Sequence, residues 1–276
     1  MDSTADFPGE QPLGDTPLTA TSKQDVTNTR RIVGYTLWVI GFILLLVAAV
    51  IVHSHPGPWP FDLQTTVTLQ HLQVWSVVST PIYLASIVDD PIPIIVSYVL
   101  WFIVLMLIGV FVRSRGASPM RWFVTAIFIS FGAAVAAGLD WVISTWVGRP
   151  RPASPLIQVF LPEPTKSFPS GHVENDVVYF GFLLYLTFTK PISEWRYRWL
   201  LIPFQLFAVL NILLVGYSRV LEGSHWLTDA SAGYLAGALW LTALIFLYRW
   251  TIDTLKKRRA RKLQLQSRQS AQAQQA

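Results

Sequence analysis

The chain has no cysteine among its 276 residues, which excludes disulfides and thiolate metal sites and leaves the redox compartment open. Charge is scarce too. Asp, Glu, Lys and Arg make up 13% of the residues, against roughly 25% in an ordinary soluble domain. One long stretch, 54–90, has neither Lys nor Arg. A nucleic-acid partner and a charged soluble surface are therefore not expected. What fills the chain is apolar: hydrophobic residues reach 52%, with 12 tryptophans. No internal repeat is visible.

Apolar runs long enough for a hydrocarbon core of roughly 30 Å, about 20 helical residues, occur at 32–53, 92–112, 121–146, 199–217 and 226–248. A sixth, 173–190, has Glu174, Asn175 and Asp176 in its first turn and reads as a span that starts in the headgroup layer. The first run is too long, and preceded by too much polar chain, for a cleaved signal peptide, so it reads as a retained helix. The expected fold is an all-α polytopic membrane bundle of six transmembrane helices, with an interfacial outer helix in the 61–90 connection between the first two spans. Residues 1–30 read as a disordered cytoplasmic arm, 31–250 as the membrane domain, and 251–276 as a basic, Gln-rich tail. In the last span Gly233 and Gly237 form a G-x-x-x-G that points to close helix packing, not chemistry.

Basic residues orient such a chain, because cytoplasmic loops carry the excess. Seventeen of the 21 Lys and Arg, including the run Lys256 to Lys262, fall on one side of this layout, which puts both termini in the cytoplasm. The exceptions are Arg149, Arg151, Lys166 and Arg219. They sit with three polar clusters at outer helix ends: "VGRPRP" after the third span, "SFPSGH" before the fourth, and "YSRVLEGSHWLTD" between the fifth and sixth.

Two histidines and several arginines with few carboxylates make a poor divalent-cation site and a good phosphate site, since guanidinium forks match phosphate oxygens. Ser170 and Gly171 at a helix start add amide donors and the positive end of the helix dipole. His225 and Asp229 are four apart, so the carboxylate is placed to orient a neutral, nucleophilic imidazole. His172 is better placed to protonate a leaving group, with Asp176 the only comparable carboxylate four residues on. Asp140, inside a span, is expected to pair with Arg149 or Arg151.

At these residues the chain resembles the type 2 phosphatidic acid phosphatases, membrane lipid phosphate phosphatases related to vanadium haloperoxidases. The family's motifs are K-x6-R-P, P-S-G-H and S-R-x5-H-x3-D. The second stands here as Pro169-Ser170-Gly171-His172 and the third as Ser218-Arg219, His225 and Asp229. The first keeps Arg151-Pro152 but has Ser144 where the lysine belongs, a gap that Arg149 or Lys166 is available to fill. The resemblance spans roughly residues 31–249. It implies a phosphohistidine on His225, oriented by Asp229, with His172 as acid and Arg151, Ser170, Gly171 and Arg219 holding the phosphate.

The activity this implies is metal-independent hydrolysis, without a cofactor, of a lipid phosphate or diphosphate at the extracytoplasmic face of the cell membrane. Phosphatidate, phosphatidylglycerophosphate and polyprenyl diphosphate are all in scope. A lipid-linked phosphotransferase using the same intermediate, or a non-catalytic membrane protein on this fold, are the alternatives. A soluble haloperoxidase is disfavoured by the membrane spans.

Overall fold

The computed structural model describes residues 17–72, 76–160 and 162–275, and the start of the expected N-terminal arm lies outside them. The chain divides into two compact units, Met1–Ile43 and Leu44–Ala276. The first ends inside helix α1, Pro17–Ser54, and within it Trp38 stacks on Phe42 with ring centroids 5.5 Å apart. Helix therefore starts upstream of the first apolar run, in a segment read as unstructured. Extending an existing helix avoids the nucleation cost that a free segment of Thr, Ser and Asn would face.

Among its described residues the second unit holds the last turns of α1 and seven further helices: α2 Pro60–His71, α3 Ser76–Val88, α4 Pro91–Ser114, α5 Met120–Val147, α6 Gly171–Thr187, α7 Ile202–Leu221 and α8 Leu227–Gln275. Short 3₁₀ turns at Ile192–Glu194 and Arg198–Leu201 join α6 to α7. Helix α8 continues through the basic run and the Gln-rich end, the segment that composition marks as a tail. Leu, Gln, Lys, Arg and Ala are all good helix formers, so nothing there stops propagation.

Among the described residues five helices are long and apolar enough to cross a membrane: Asn28–Ser54, Pro91–Ser114, Met120–Val147, Arg198–Leu221 and Leu227–Gln272. They coincide with five of the six expected spans. The sixth is α6, with 17 residues, or roughly 25 Å at 1.5 Å per residue. It packs against α8, α7 and α5, and most of its side chains are buried. A helix sheathed by its neighbours needs no oily exterior, which is why Glu174 and Asp176 are tolerated in it. The outer helices instead expose residues such as Ile92, Leu107, Trp141, Leu213 and Trp250, surface that suits lipid and not water. The chain is thus a multi-pass membrane protein.

The connection read as one interfacial helix holds two helices, α2 and α3. Asp62 of α2 is 0% exposed, bonded to residues of the α5 end and the α8 start, so this helix caps the bundle. Aromatic rings of α5, α6 and α8 form the core, with Tyr248 edge-on to both Phe128 and Phe182 at 5.4 Å.

Helices α6 and α8 lie almost backbone to backbone. A Cβ on Gly233 would lie 2.6 Å from the Ser170 carbonyl oxygen, and one on Gly237 would lie 2.7 Å from Val177 Cβ. Only glycine admits this approach. The G-x-x-x-G therefore sets the separation between the helix that begins with Ser170-Gly171-His172 and the helix that begins just after His225.

Candidate active site

Three segments meet at one end of the bundle: the 148–170 connection, the start of α6, and the turn from α7 into α8. Helix α5 ends at Gly148 in the left-handed conformation, φ 68°, which turns the chain so that Arg149 and Arg151 run back across the bundle end. Ser170 is the N-cap of α6, its hydroxyl accepting from Val173 N, while its own amide donates to the Asp229 carbonyl at 3.0 Å. The second and third motifs are thereby hydrogen-bonded to each other.

His225 is 1% exposed and its two ring nitrogens have distinct partners. Nδ1 lies 2.8 Å from the Ser167 carbonyl, which can only accept, so Nδ1 carries the proton. Nε2 then keeps its lone pair and accepts from Arg151 Nη1 at 2.8 Å. The ring of His172 stands edge-on to that of His225, centroids 5.7 Å apart. Burial first, then the Arg151 guanidinium, pushes His225 well below the usual histidine range. His172 is lowered to about 3, by burial and then by Arg219 and Arg151. Burial also lowers Arg151, with Glu163 opposing. Both histidines are neutral in the free protein.

Asp229 does not bond His225 directly, contrary to the expectation from their spacing. Its Oδ2 is 4.0 Å from Nδ1 and instead accepts from Ser167 Oγ at 2.5 Å and Trp226 N at 2.9 Å. Trp226 precedes the first residue of α8, so the carboxylate reaches back to the helix cap, as the third residue of a capping box does. Its hold on His225 runs through Ser167, which binds Asp229 with its hydroxyl and the imidazole with its carbonyl.

Arg149 is not at the cavity. Fully buried, it bridges Asp229 Oδ1 at 2.5 Å and Asp62 Oδ2 at 2.7 Å, and it also donates to Thr228. Every donor faces a fixed protein acceptor, so the expected phosphate contact is corrected to a structural one. Arg219 is 1% exposed and donates from Nη2 to the carbonyl and hydroxyl of Ser86, with Glu222 3.6 Å from Nη1. Its Nε has no hydrogen-bond partner among the described residues, and its charge reaches both histidines.

Arg151, Gly171 and His172 line a cavity of about 470 Å³, together with Ser144, Lys166, Asp140 and Glu163. Ser144 occupies the wall where the resemblance calls for lysine, and its hydroxyl donates to the Trp141 carbonyl at 3.2 Å. Lys166 faces the same cavity from the 148–170 connection. Asp140 makes no ion pair with Arg149 or Arg151. Its carboxylate packs on Gly171, where a Cβ would lie 2.7 Å from Oδ2. Asp176 bonds Asn211 at 2.5 Å and does not orient His172. The carboxylate facing His172 is that of Glu163, at 3.9 Å, a residue outside all three motifs that no local pattern marks. Among the described residues no three His, Asp or Glu side chains converge as a metal-ligand set.

Comparison with known proteins accords with this arrangement. Over 148 residues, 52% of this chain and 61% of the relative, the sequence is 32% identical to an undecaprenyl-diphosphatase of Sulfolobus acidocaldarius. Over 125 residues, 43% of this chain and 54% of the relative, it is 30% identical to phosphatidylglycerophosphatase B of Bacillus subtilis. The matches thus span less than two thirds of either relative's length. The fold is similar to that of a transmembrane PAP2-type phosphatidylglycerolphosphate phosphatase from Bacillus subtilis, with a TM-score of 0.57 at 18% identity, covering 79% of this chain and 96% of that one. Residues 122–253, which hold nearly all of α5, the whole of α6 and α7, the first half of α8 and all three motif positions, match the sequence pattern of the PAP2 superfamily.

Proposed function

We propose that the protein is a metal-independent lipid phosphatase that works through a phosphohistidine on His225 at the extracytoplasmic face of the membrane. The observation that carries this reading is the state of His225: protonated at Nδ1 by its bond to Ser167 and bare at Nε2, beside Arg151 and across from His172. A neutral imidazole held in one tautomer is a competent nucleophile on phosphorus.

The substrate's phosphate enters the cavity and takes over donors of Arg151, adding the amides at the start of α6. Its negative charge raises His172 from its low value in the free protein, so that His172 carries a proton once substrate is bound. His225 Nε2 attacks phosphorus, the N–P bond forms, and the P–O bond to the lipid alcohol breaks. The departing oxygen takes the proton of His172. In the second half a water gives a proton to His172 and attacks phosphorus, the N–P bond breaks, and phosphate leaves. Positioning and cationic charge supply most of the rate in phosphoryl transfer, which suits a site built of arginines and amides. Lys166 contributes the cation missing at Ser144.

Both relatives are named as phosphatases, one for undecaprenyl diphosphate and one for phosphatidylglycerophosphate, so both classes belong in the assay. The test is phosphate release from a panel of lipid phosphates by purified protein in EDTA, with His225→Ala as control. Release that disappears in the variant is the expected result. No release from any lipid, or full activity in the variant, refutes the reading.

A further inference from the structure

Glu163 touches two members of the candidate site. Its Oε2 accepts from Arg151 Nη2 at 2.6 Å, and its Oε1 stands 3.9 Å from His172 Nε2. On the other arm of the same guanidinium, Nη1 donates to His225 Nε2 at 2.8 Å. The carboxylate is therefore set among the groups that an incoming phosphate must engage. To a guanidinium fork, carboxylate and phosphate oxygens are the same kind of partner.

Arg151 has no donor to spare. Nη1 also reaches the Ser224 carbonyl at 2.8 Å, Nη2 the Thr165 hydroxyl at 2.6 Å, and Nε the Thr165 carbonyl at 3.3 Å. A phosphate oxygen that binds Arg151 must displace one of these acceptors. Glu163 is the charged one among them, so it is the one a second anion repels. It is also free to leave. The Asp62–Arg149–Asp229 bridge is wholly buried, whereas the Glu163 and Arg151 side chains keep 25% and 15% exposure. Glu163 lies in the 148–170 connection at the cavity wall, and no helix restrains it.

We propose that Glu163 is an internal competitor for the phosphate site: without substrate its carboxylate holds Arg151 and faces His172 in the place of a phosphate oxygen. It yields that place when the substrate's phosphate binds and retakes it as product phosphate leaves. The inference rests on the phosphatase reading above. It has a defined quantitative consequence, because apparent affinity falls by the fraction of molecules in which the site is free. If roughly 90% of the free protein holds the Arg151–Glu163 contact, anions bind about tenfold more weakly than the bare site would bind them, or about 1.4 kcal/mol.

Orthovanadate and inorganic phosphate are titrated calorimetrically into detergent-solubilised full-length wild type, Glu163→Gln and Glu163→Ala, and kcat/KM is measured for a lipid phosphomonoester. Both variants are expected to bind vanadate about tenfold more tightly, with kcat/KM raised through a lower KM. Thr165→Ala, which removes a neutral partner of the same Nη2, should give no such tightening. Unchanged or weaker vanadate binding in the Glu163 variants, a fall in kcat/KM, or equal tightening in Thr165→Ala overturns the proposal. A wild type that binds vanadate but hydrolyses no lipid phosphate sinks the phosphatase reading alone, since competition is still read from the vanadate titration. A wild type that hydrolyses lipid, with variants that do not tighten, sinks the competitor alone.

Discussion

The carboxylate of Asp229 and the imidazole of His225 stand 4.0 Å apart, and Ser167 lies between them in the hydrogen-bond chain, its hydroxyl on one and its carbonyl on the other. The tautomer of His225 is thus set by a backbone acceptor whose residue Asp229 holds in place. Ser167→Ala keeps the carbonyl but frees it from Asp229. An activity loss in the same direction as Asp229→Asn, but smaller, is expected from steady-state assays, about tenfold for one hydrogen bond worth roughly 1.5 kcal/mol. Wild-type activity in Ser167→Ala rejects the relay.

Gly233 admits the Ser170 carbonyl at a distance no side chain allows. Gly233→Ala must push α6 and α8 apart, at a cost of about 1–3 kcal/mol for an overpacked contact. A lower Tm together with reduced kcat is expected, because the same separation sets His172 against His225. An unshifted Tm with normal kcat contradicts this.

Arg149 and Lys166 separate cleanly by phenotype. Arg149→Met leaves Asp62 and Asp229 as unpaired buried carboxylates, a loss of about 3–5 kcal/mol that thermal unfolding and expression in the membrane fraction report. Lys166→Ala touches no such network. It should keep its Tm and raise KM by about tenfold, the weight of one charge-assisted contact of roughly 1.5 kcal/mol. Unchanged KM in Lys166→Ala ends its role as substitute for the lysine absent at Ser144.

Leaving-group chemistry distinguishes the histidines. His225→Ala removes the proposed nucleophile and should abolish turnover of every substrate. His172→Ala should be severe with a lipid alcohol, a poor leaving group, and milder with p-nitrophenyl phosphate, whose phenolate departs without a proton. Equal losses on both substrates refute the acid role.

The two histidines should contribute stability that rises with pH from mild acid to neutrality. His172 and His225 both have lowered values in the folded protein, so below about pH 6.5 the unfolded chain takes up protons that the folded one does not. Each contributes stability present above the unfolded value and lost as pH falls, up to about 1.4 kcal/mol per pH unit. Thermal unfolding in detergent between pH 7 and pH 5 is the measurement, and the slope of stability against pH should be less positive in His172→Asn combined with His225→Asn than in wild type. A slope unaffected by the double variant argues against neutral histidines in the folded state.

How much of the fold and site was legible beforehand depends on how far apart the interacting residues are in the chain. Five spans declared themselves because each run carries its own apolar length. The sixth expected span was legible only as a weak run, and it folds as α6, a helix of 17 residues that packs against α5, α7 and α8 and is not among the five long and apolar enough to cross. Helix beyond the expected limits, upstream in α1 and downstream in α8, escaped composition because polar sequence can extend a helix that apolar sequence has nucleated. The motif residues were found because P-S-G-H and S-R-x5-H-x3-D are short strings. Glu163 and Ser167 sit in an irregular connection with no periodicity, and Asp62 acts on Arg149 from a distant helix.

By itself the sequence determined that this chain is a membrane protein with His172, His225, Arg149, Arg151 and Arg219 near the ends of its apolar runs, because burial of apolar length in lipid is a local property of each run. Which arginine faces the cavity was decided only by tertiary structure. Arg149 and Arg151 are two residues apart and alike in chemistry, yet one is bridged between Asp62 and Asp229 and the other lies against His225 and Glu163. A charge takes its role from the partners the fold brings to it, and those partners come from helices that the chain order does not place side by side.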